Sequence, residues 1–286
     1  MKTLVLSGGA DYGSFQLGVL KFLILEKGHR YNSMYGVSVG ALNASFLAMF
    51  EDQAEGILQL EQFWLNVKKS DIYKRWFPFG KIHGLWKPSL YNATPLKNMV
   101  RKNLDVDKIK NITVGVGVVS MKNGKFKMFY NDHPKFKDAV VASSSFPLYF
   151  QPISIDGELY TDGGLKHVAP MGAAIDNLKV DESIDAVITY DRYRDYNANK
   201  KNNNVINVAL NSVDFMRQAV EDSDVDLTLL YNKLVSNNLC EDKKFAEINL
   251  FYPEDKIKGN SIDFDHTDIV KTIELGYETA KKQYKE

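Results

Sequence analysis

The sequence predicts an α/β fold with a mostly parallel sheet covered by helices. Short apolar runs ending at glycines alternate with stretches whose apolar residues recur every three or four positions. The opening order is strand, helix, strand, helix, and parallel strands require such a crossover. The 286 residues, 44% of them hydrophobic, suffice for one large core.

Each element follows from its residues. "KTLVLS" (2–7) reads as a buried strand. "SFQLGVLKFLILEKG" reads as a helix, with Gly28 where a C-cap belongs. "YNSMYG" (31–36) is a second strand and "SVGALNASFLAMF" (38–50) a second helix, apolar on most faces. Residues 54–67 form another helix. Residues 70–92 have no clear period and many aromatics, broken by Pro78, Gly80, Gly84 and Pro88, so they suggest a lid or a substrate-contacting loop, although core packing accounts for most such aromatics. "TPLKNMVRKNL" (94–104) starts a helix with Thr94 as N-cap and Pro95 in the first turn.

"NITVGVGVVSM" and "KFKMFYN" flank Asn123-Gly124, which predicts a hairpin with a type I′ turn. "HPKFKDAVVASSS" reads as a helix. "ISIDGELYTDGG" predicts a second hairpin turning at Asp156-Gly157. A helix starts near Pro170, and "SIDAVITY" (183–190) returns to strand. The Asn-rich stretch 192–204 reads as a surface loop. From Val205 to about Ser236 a long helix or helix pair is expected, with Ile206, Ala209, Leu210, Val213, Met216 and Val220 on its apolar face. "KFAEINLFYP" is a late strand and 265–285 a terminal amphipathic helix. No linker or repeat interrupts the pattern, so residues 1–286 are expected to form a single domain, with a motif-bearing core over about 1–190 and a helical C-terminal part over about 205–286.

Composition narrows the function. Lys plus Arg equals Asp plus Glu, at 36 each, so no strong field favours nucleic acid or anionic lipid. The one cysteine, Cys240, forms no internal disulfide, fits a reducing compartment, and is expected to be buried and inert. The chain opens without a signal-peptide pattern and contains no long apolar span, so a cytoplasmic protein is expected. "DSDVD" (222–226) lacks the glycine and glutamate of a calcium loop and reads as a solvated helix face. Neither a metal nor a cofactor is expected.

Chemistry concentrates in three places. "GVSVG" (36–40) is a G-x-S-x-G match between a predicted strand and a predicted helix. Composition alone yields about 0.1 such matches in a chain this long. A serine on that sharp turn exposes its oxygen at the strand's end, and Gly36 and Gly40 let strand and helix close on each other. A helix N-cap serine would account for Ser38 equally well. The opening "LSGGADYG" lacks the lysine of a Walker loop and the G-x-G-x-x-G of a dinucleotide fingerprint. What remains is a set of backbone N–H groups aimed at the space above the sheet, as an oxyanion hole requires. Asp162, followed by Gly163-Gly164, is either a simple turn or a base for Ser38. Five histidines, His29, His83, His133, His167 and His266, compete for the same task. His29 and His133 read as surface residues, and His167 draws suspicion because it follows "YTDGGLK".

"LVLSGGADYGSFQLGVL", "GVSVGALNA" and "ASSSFPLYFQPISIDGELYTDGGLKHVAP" resemble, in order and spacing, the three blocks of the patatin-like phospholipases. They cover roughly residues 4–170. The resemblance implies a three-layer α/β/α fold with a mostly parallel sheet and a Ser–Asp dyad without histidine. Ser38 would be the nucleophile and Asp162 its partner. Backbone N–H groups in the Gly8, Gly9, Ala10, Asp11 stretch would hold the oxyanion. It also implies a lipid acyl hydrolase (a phospholipase A or non-specific carboxylic ester hydrolase) that takes phospholipids or other acyl esters through an acyl-serine, with peripheral membrane contact. A Ser-His-Asp esterase using His167 and a catalytically weak binding protein are the alternatives. The loop departs from the family pattern, with Ala10 in place of a third glycine and Tyr12 in place of a basic residue. The hole is expected to survive provided Ala10 keeps a negative φ.

Overall fold

A computed structural model describes residues 2–76, 87–179, 182–190, 205–239, 244–254, 257 and 264–284, the side chains at 11, 206, 207, 210 and 214 excepted. Cys240, His83, the aromatics Phe77, Phe79 and Trp86, and the Asn-rich stretch 192–204 lie outside the described residues.

The strands are β1 (Lys2–Leu6), β2 (Tyr31–Val37), β3 (Thr113–Ser120), β4 (Phe126–Tyr130), β5 (Ile153–Ile155), β6 (Glu158–Asp162), β7 (Ser183–Val187) and β8 (Ile248–Phe251). The helices are α1 (Gly13–Leu20), α2 (Val39–Leu47), α3 (Gln53–Asn66), the single turn α4 (Lys69–Ile72), α5 (Thr94–Asn103), α6 (Phe136–Ser143), α7 (Met171–Asp176), α8 (Val205–Ser236) and α9 (His266–Gln283). The first helix is tighter than its sequence suggests at one end and looser at the other. A 3-10 turn (Ala10–Tyr12) leads into it and a π-helical segment (Lys21–Glu26) ends it before Gly28, which has φ +67°.

All eight strands join one mixed sheet, ordered β5-β6-β3-β2-β1-β7-β8, with β4 also on β3. The pairs β1–β2, β1–β7, β2–β3 and β7–β8 are parallel. Strand alternation divides the core into two layers. Leu4 and Leu6 of β1 face the larger cluster, with Phe15, Ala41, Leu47, Ile57 and Ile273, while Val5 faces the smaller one, with Met171, Ala174 and Val225. Helices thus cover both sides, giving the three-layer architecture. Because the chain moves one way from β1 to β2 and β3 and the other way to β7 and β8, the strand order reverses at β1. A crevice opens at the C-terminal ends of the strands at such a point.

One turn expectation is corrected and the other is met. At Asn123-Gly124 only the glycine has positive φ, so the turn is not type I′; the Asn123 side chain instead accepts from the Lys125 N–H at 2.9 Å. At Asp156-Gly157 both residues have positive φ, +50° and +82°, as a type I′ turn requires. Thr94 does not cap α5. Its own N–H donates to the Asn92 side chain at 2.8 Å, and the cap position falls on Ala93.

The long helix α8 forms; of the residues expected on its apolar face, Val213 and Val220 are half-buried, and the side chains of Ile206 and Leu210 lie outside the described residues. Met216 is 67% exposed and Ala209 is exposed, while Gln218, Glu221, Val225 and Thr228 are buried. These four recur at helical spacing, so the inward face of α8 is largely polar.

Candidate active site

Ser38 sits at the turn from β2 into α2 with φ +55° and ψ −125°, a region that non-glycine residues rarely occupy and that costs on the order of 1–3 kcal/mol. The flanking glycines are steric necessities. A Cβ on Gly36 would lie 2.4 Å from Gly40, and a Cβ on Gly40 would lie 2.2 Å from the Leu6 carbonyl oxygen. Side chains distant in sequence hold the turn. The Ser38 N–H donates to Ser143 Oγ at 2.9 Å, and Ser143 donates onward to the Gly117 carbonyl at 2.7 Å. Ser144 Oγ reaches the Ser38 carbonyl at 3.2 Å.

Strand register brings Asp162 to the same place. Gly117 of β3 pairs with Val37 on one edge and Met128 on the other, and Val118 pairs with Asp162 and Lys127. Since β4 takes one edge at both positions, β2 and β6 share the other. They end head to head on successive residues of β3, one carrying Ser38 and the other Asp162. Gly163 makes this junction tight, since a Cβ there would stand 2.5 Å from the Gly117 oxygen. Ser145 fixes the acid's backbone by accepting from the Asp162 N–H at 3.2 Å and from Thr161 Oγ1 at 2.6 Å.

The Asp162 carboxyl is buried. Its Oδ1 accepts from the Gly164 N–H at 2.8 Å, and Oδ2 has no well-formed hydrogen bond. Burial pushes its pKa up to about 7, against the Gly164 N–H, the approaching Ser38 hydroxyl and the positive charge of Arg217, which all pull it down.

The loop after β1 departs from expectation at two positions. The Gly8 N–H is committed to the Val168 carbonyl at 3.0 Å, which removes it from the expected oxyanion donors. Ala10 has φ +53°, so the negative φ on which the oxyanion hole was expected to depend is not found. The alanine keeps a glycine's conformation at a cost of about 1–2 kcal/mol. The Gly9 and Ala10 N–H groups make no hydrogen bond within the described residues. Gly9 admits no side chain, because a Cβ would lie 2.2 Å from Thr189 Oγ1. Beneath the loop, Thr189 donates to the Gly8 carbonyl and its N–H donates to Ser7 Oγ at 2.9 Å. Gln16 donates to the Ser7 carbonyl at 2.7 Å, and Asn43 links Gln16 to the Trp64 indole.

Ser38, Asp162, Gly8, Gly9 and Ala10 line one cavity. Its other walls are apolar, with Leu42, Phe63, Trp64, Ile72, Tyr73 and Met99 prominent. Tyr73, from the aromatic stretch, is buried here against Tyr91, with ring centroids 4.5 Å apart. Among the described residues, Asp162 and Arg217 are the only charged side chains on the lining.

The described histidines, His29, His133, His167 and His266, are not on this lining. His167 Nδ1 engages Asp224 at 2.7 Å, and Asp224 also accepts from the Val168 and Ala169 N–H groups at 2.7 and 3.1 Å. Asp224, read as part of a solvated face, therefore ties α8 to the segment after Asp162. His29 is not a surface residue. It is buried at the opposite end of the sheet, 2.7 Å from Asp185, which also accepts from Tyr31, Asn249 and Lys2. His266 Nδ1 lies 3.1 Å from the Leu65 carbonyl and His133 3.5 Å from Asp156. Sequence reading missed Ser143, Ser144, Ser145 and Arg217. The "SSS" run offered a signal for the first three; nothing local marked Arg217.

Comparison with known proteins gives the fold and the family. The chain is similar to an uncharacterized protein of Acanthamoeba polyphaga mimivirus, 27% identical over 178 residues, an overlap covering 57% of this chain and 58% of that protein. The fold is similar to the crystal structure of VipD from Legionella pneumophila, with a TM-score of 0.50 at 15% identity, covering 99% of this chain and 66% of VipD. The chain thus spans about three fifths to two thirds of the proteins it matches. Residues 4–175, more than half of the chain and the span that holds the elbow, the glycine loop and Asp162, match the model of the patatin-like phospholipases, lipid acyl hydrolases in general, and the chain belongs to that family.

Proposed function

We propose that the chain hydrolyses lipid acyl esters through an acyl-serine at Ser38, with Asp162 as its base. The observation that carries this reading is the meeting of a strained, accessible serine and a buried carboxyl titrating near neutrality at one end of an apolar cavity. A carboxylate of ordinary pKa is a weak base, whereas one near 7 is matched to work at neutral pH.

In the first half-reaction Ser38 Oγ attacks the ester carbonyl carbon and its proton passes to Asp162. The carbonyl oxygen becomes an oxyanion facing the Gly9 and Ala10 N–H groups. Each such donor contributes roughly 2.7–4 kcal/mol to lowering a barrier of this kind. The C–O bond to the alcohol then breaks, and the leaving oxygen takes the proton from Asp162. In the second half, water attacks the acyl-serine, Asp162 accepts its proton, and collapse returns that proton to Ser38 Oγ while releasing the fatty acid. Leu42, Phe63, Trp64 and Met99 would hold the acyl chain. Among the described residues no helix is long and apolar enough to cross a membrane, and we assign the chain a peripheral contact with lipid surfaces. No observation favours His167 as the base.

A fluorophosphonate probe should label Ser38 and lose its target in Ser38→Ala, which should also lose hydrolysis of a p-nitrophenyl ester. Undiminished turnover in that variant would overturn the assignment, and absence of labelling would instead favour a non-catalytic binding protein.

A further inference from the structure

Arg217 reaches the cavity from α8, a segment remote in sequence from every motif. Its Nη1 makes one long hydrogen bond, 3.4 Å, to the Gly8 carbonyl. No carboxylate of the described residues completes an ion pair with it. Two carboxyls feel its charge: Asp162, which the Ser38 hydroxyl approaches, and Glu221, which Ser7 approaches, and Asp162 Oδ2, Glu221 Oε1 and Glu221 Oε2 have no well-formed hydrogen bond. A guanidinium carries five N–H donors in a planar fork. Here one is engaged by the Gly8 carbonyl, and the half-buried guanidinium keeps the rest available to a ligand in the cavity.

Glu221 sits one helical turn on, 1% exposed. It gives the guanidinium a negative neighbour that attracts it without saturating it. Burial holds the Glu221 carboxyl up at about 7, and Arg217 pulls it down. The opening loop carries Tyr12 and no cation of its own, so among the described residues the positive charge on the cavity lining comes from Arg217. With one cationic point and apolar walls elsewhere, the cavity is complementary to an amphiphile with an anionic group close to its ester.

We propose that Arg217 is the specificity-determining residue of this site, binding a phosphate on the substrate's head group and so selecting anionic acyl esters over neutral ones. This rests on the hydrolase reading above. The fork of Arg217 would grip two phosphate oxygens and hold the ester carbonyl over Ser38. Binding through a group outside the reacting bond appears mainly in KM and in discrimination between substrates.

The test compares a short-chain 1-acyl-glycerol phosphate with the monoacylglycerol of the same chain, both below their micellar concentrations. Arg217→Gln should lower the ratio of their kcat/KM values at least ten-fold, and Arg217→Lys should restore part of it. A ratio unchanged within two-fold in Arg217→Gln overturns the proposal. So does an equal loss on both substrates, which would mark a role in holding the Gly8 loop. Should the wild-type chain cleave neither ester, the hydrolase reading fails, and binding then decides the fate of Arg217. In a Ser38→Ala background, calorimetry with an alkyl phosphate and the matching alkanol should show Arg217→Gln weakening the phosphate at least ten-fold relative to the alkanol. Equal weakening of the two refutes it.

Discussion

The turn at Ser38 and the helix α8 both reach the same cavity, yet they were built under different constraints. At the turn, the steric constraints come from Gly36, Gly40 and the end of β1, and the polar bracing comes from Ser143 and Ser144. Gly36 and Gly40 are required because backbone presses on backbone. On α8 the side chains that matter face loops brought in from elsewhere. Its apolar periodicity points to Met216 and Ala209, which are exposed, while Glu221 and Gln218 are buried. Hydrophobic periodicity identifies a helix's inward face only when that face meets an apolar surface. Here α8 meets the polar floor of the site.

The contrast can be broken or sharpened by substitution. The largest effect should come from Asp162→Asn, which removes the base and should lower kcat/KM for a p-nitrophenyl ester by about 10²–10⁴-fold. The wild-type pH profile should agree with it. Since burial raises the folded pKa to about 7, the base is protonated below that pH, and kcat/KM should fall about ten-fold per unit as pH drops below 7. A profile flat down to pH 5 would rule out Asp162 as a buried base.

Next in size is Gly40→Ala. The added Cβ meets the Leu6 carbonyl, and relief requires parting β1 from α2, so a loss of more than about 3 kcal/mol is expected in urea unfolding. Comparable loss from a single exposed position on α8 would contradict the comparison.

Glu221→Gln tests the buried polar face. A carboxyl whose folded pKa is raised binds its proton more tightly in the folded chain, so stability falls as pH rises from about 4.5 to about 7 and then levels off. The glutamine cannot ionise, so the variant should gain up to roughly 3 kcal/mol relative to wild type at pH 8 and show no such gain at pH 4. Thermal melts at the two pH values read this directly, and a pH-independent difference would refute the burial argument. Ala10→Gly relaxes a positive φ in the loop and should change stability by no more than about 1 kcal/mol, with ester hydrolysis retained. Smallest of all, Met216→Ser on the outward face should shift stability by less than about 0.5 kcal/mol.

Much of this was legible in advance. The strand-helix alternation, the hairpin at Asp156-Gly157 and the long helix are local patterns, and the structure has them. Ser38, Asp162 and the glycine loop were found as separate motifs, and the structure puts them on one cavity. Ala10 misled because its steric preference suggested a negative φ. Its neighbours instead impose the conformation a glycine would take. His29 misled because loop signals beside it suggested a surface, while Asp185, Tyr31 and Tyr284 enclose it.

The sequence by itself determined the order of elements and marked the elbow and the acid's turn, because the motifs Gly36–Gly40 and Asp162–Gly164 are each only a few residues long. Only the tertiary structure decided that β2 and β6 meet end to end on β3, that Ser143 and Ser144 brace the elbow, and that α8 brings Arg217 to the cavity Ser38 lines. Those depend on surfaces made from segments 100 residues or more apart, and what a helix face buries is set by the surface it lands on.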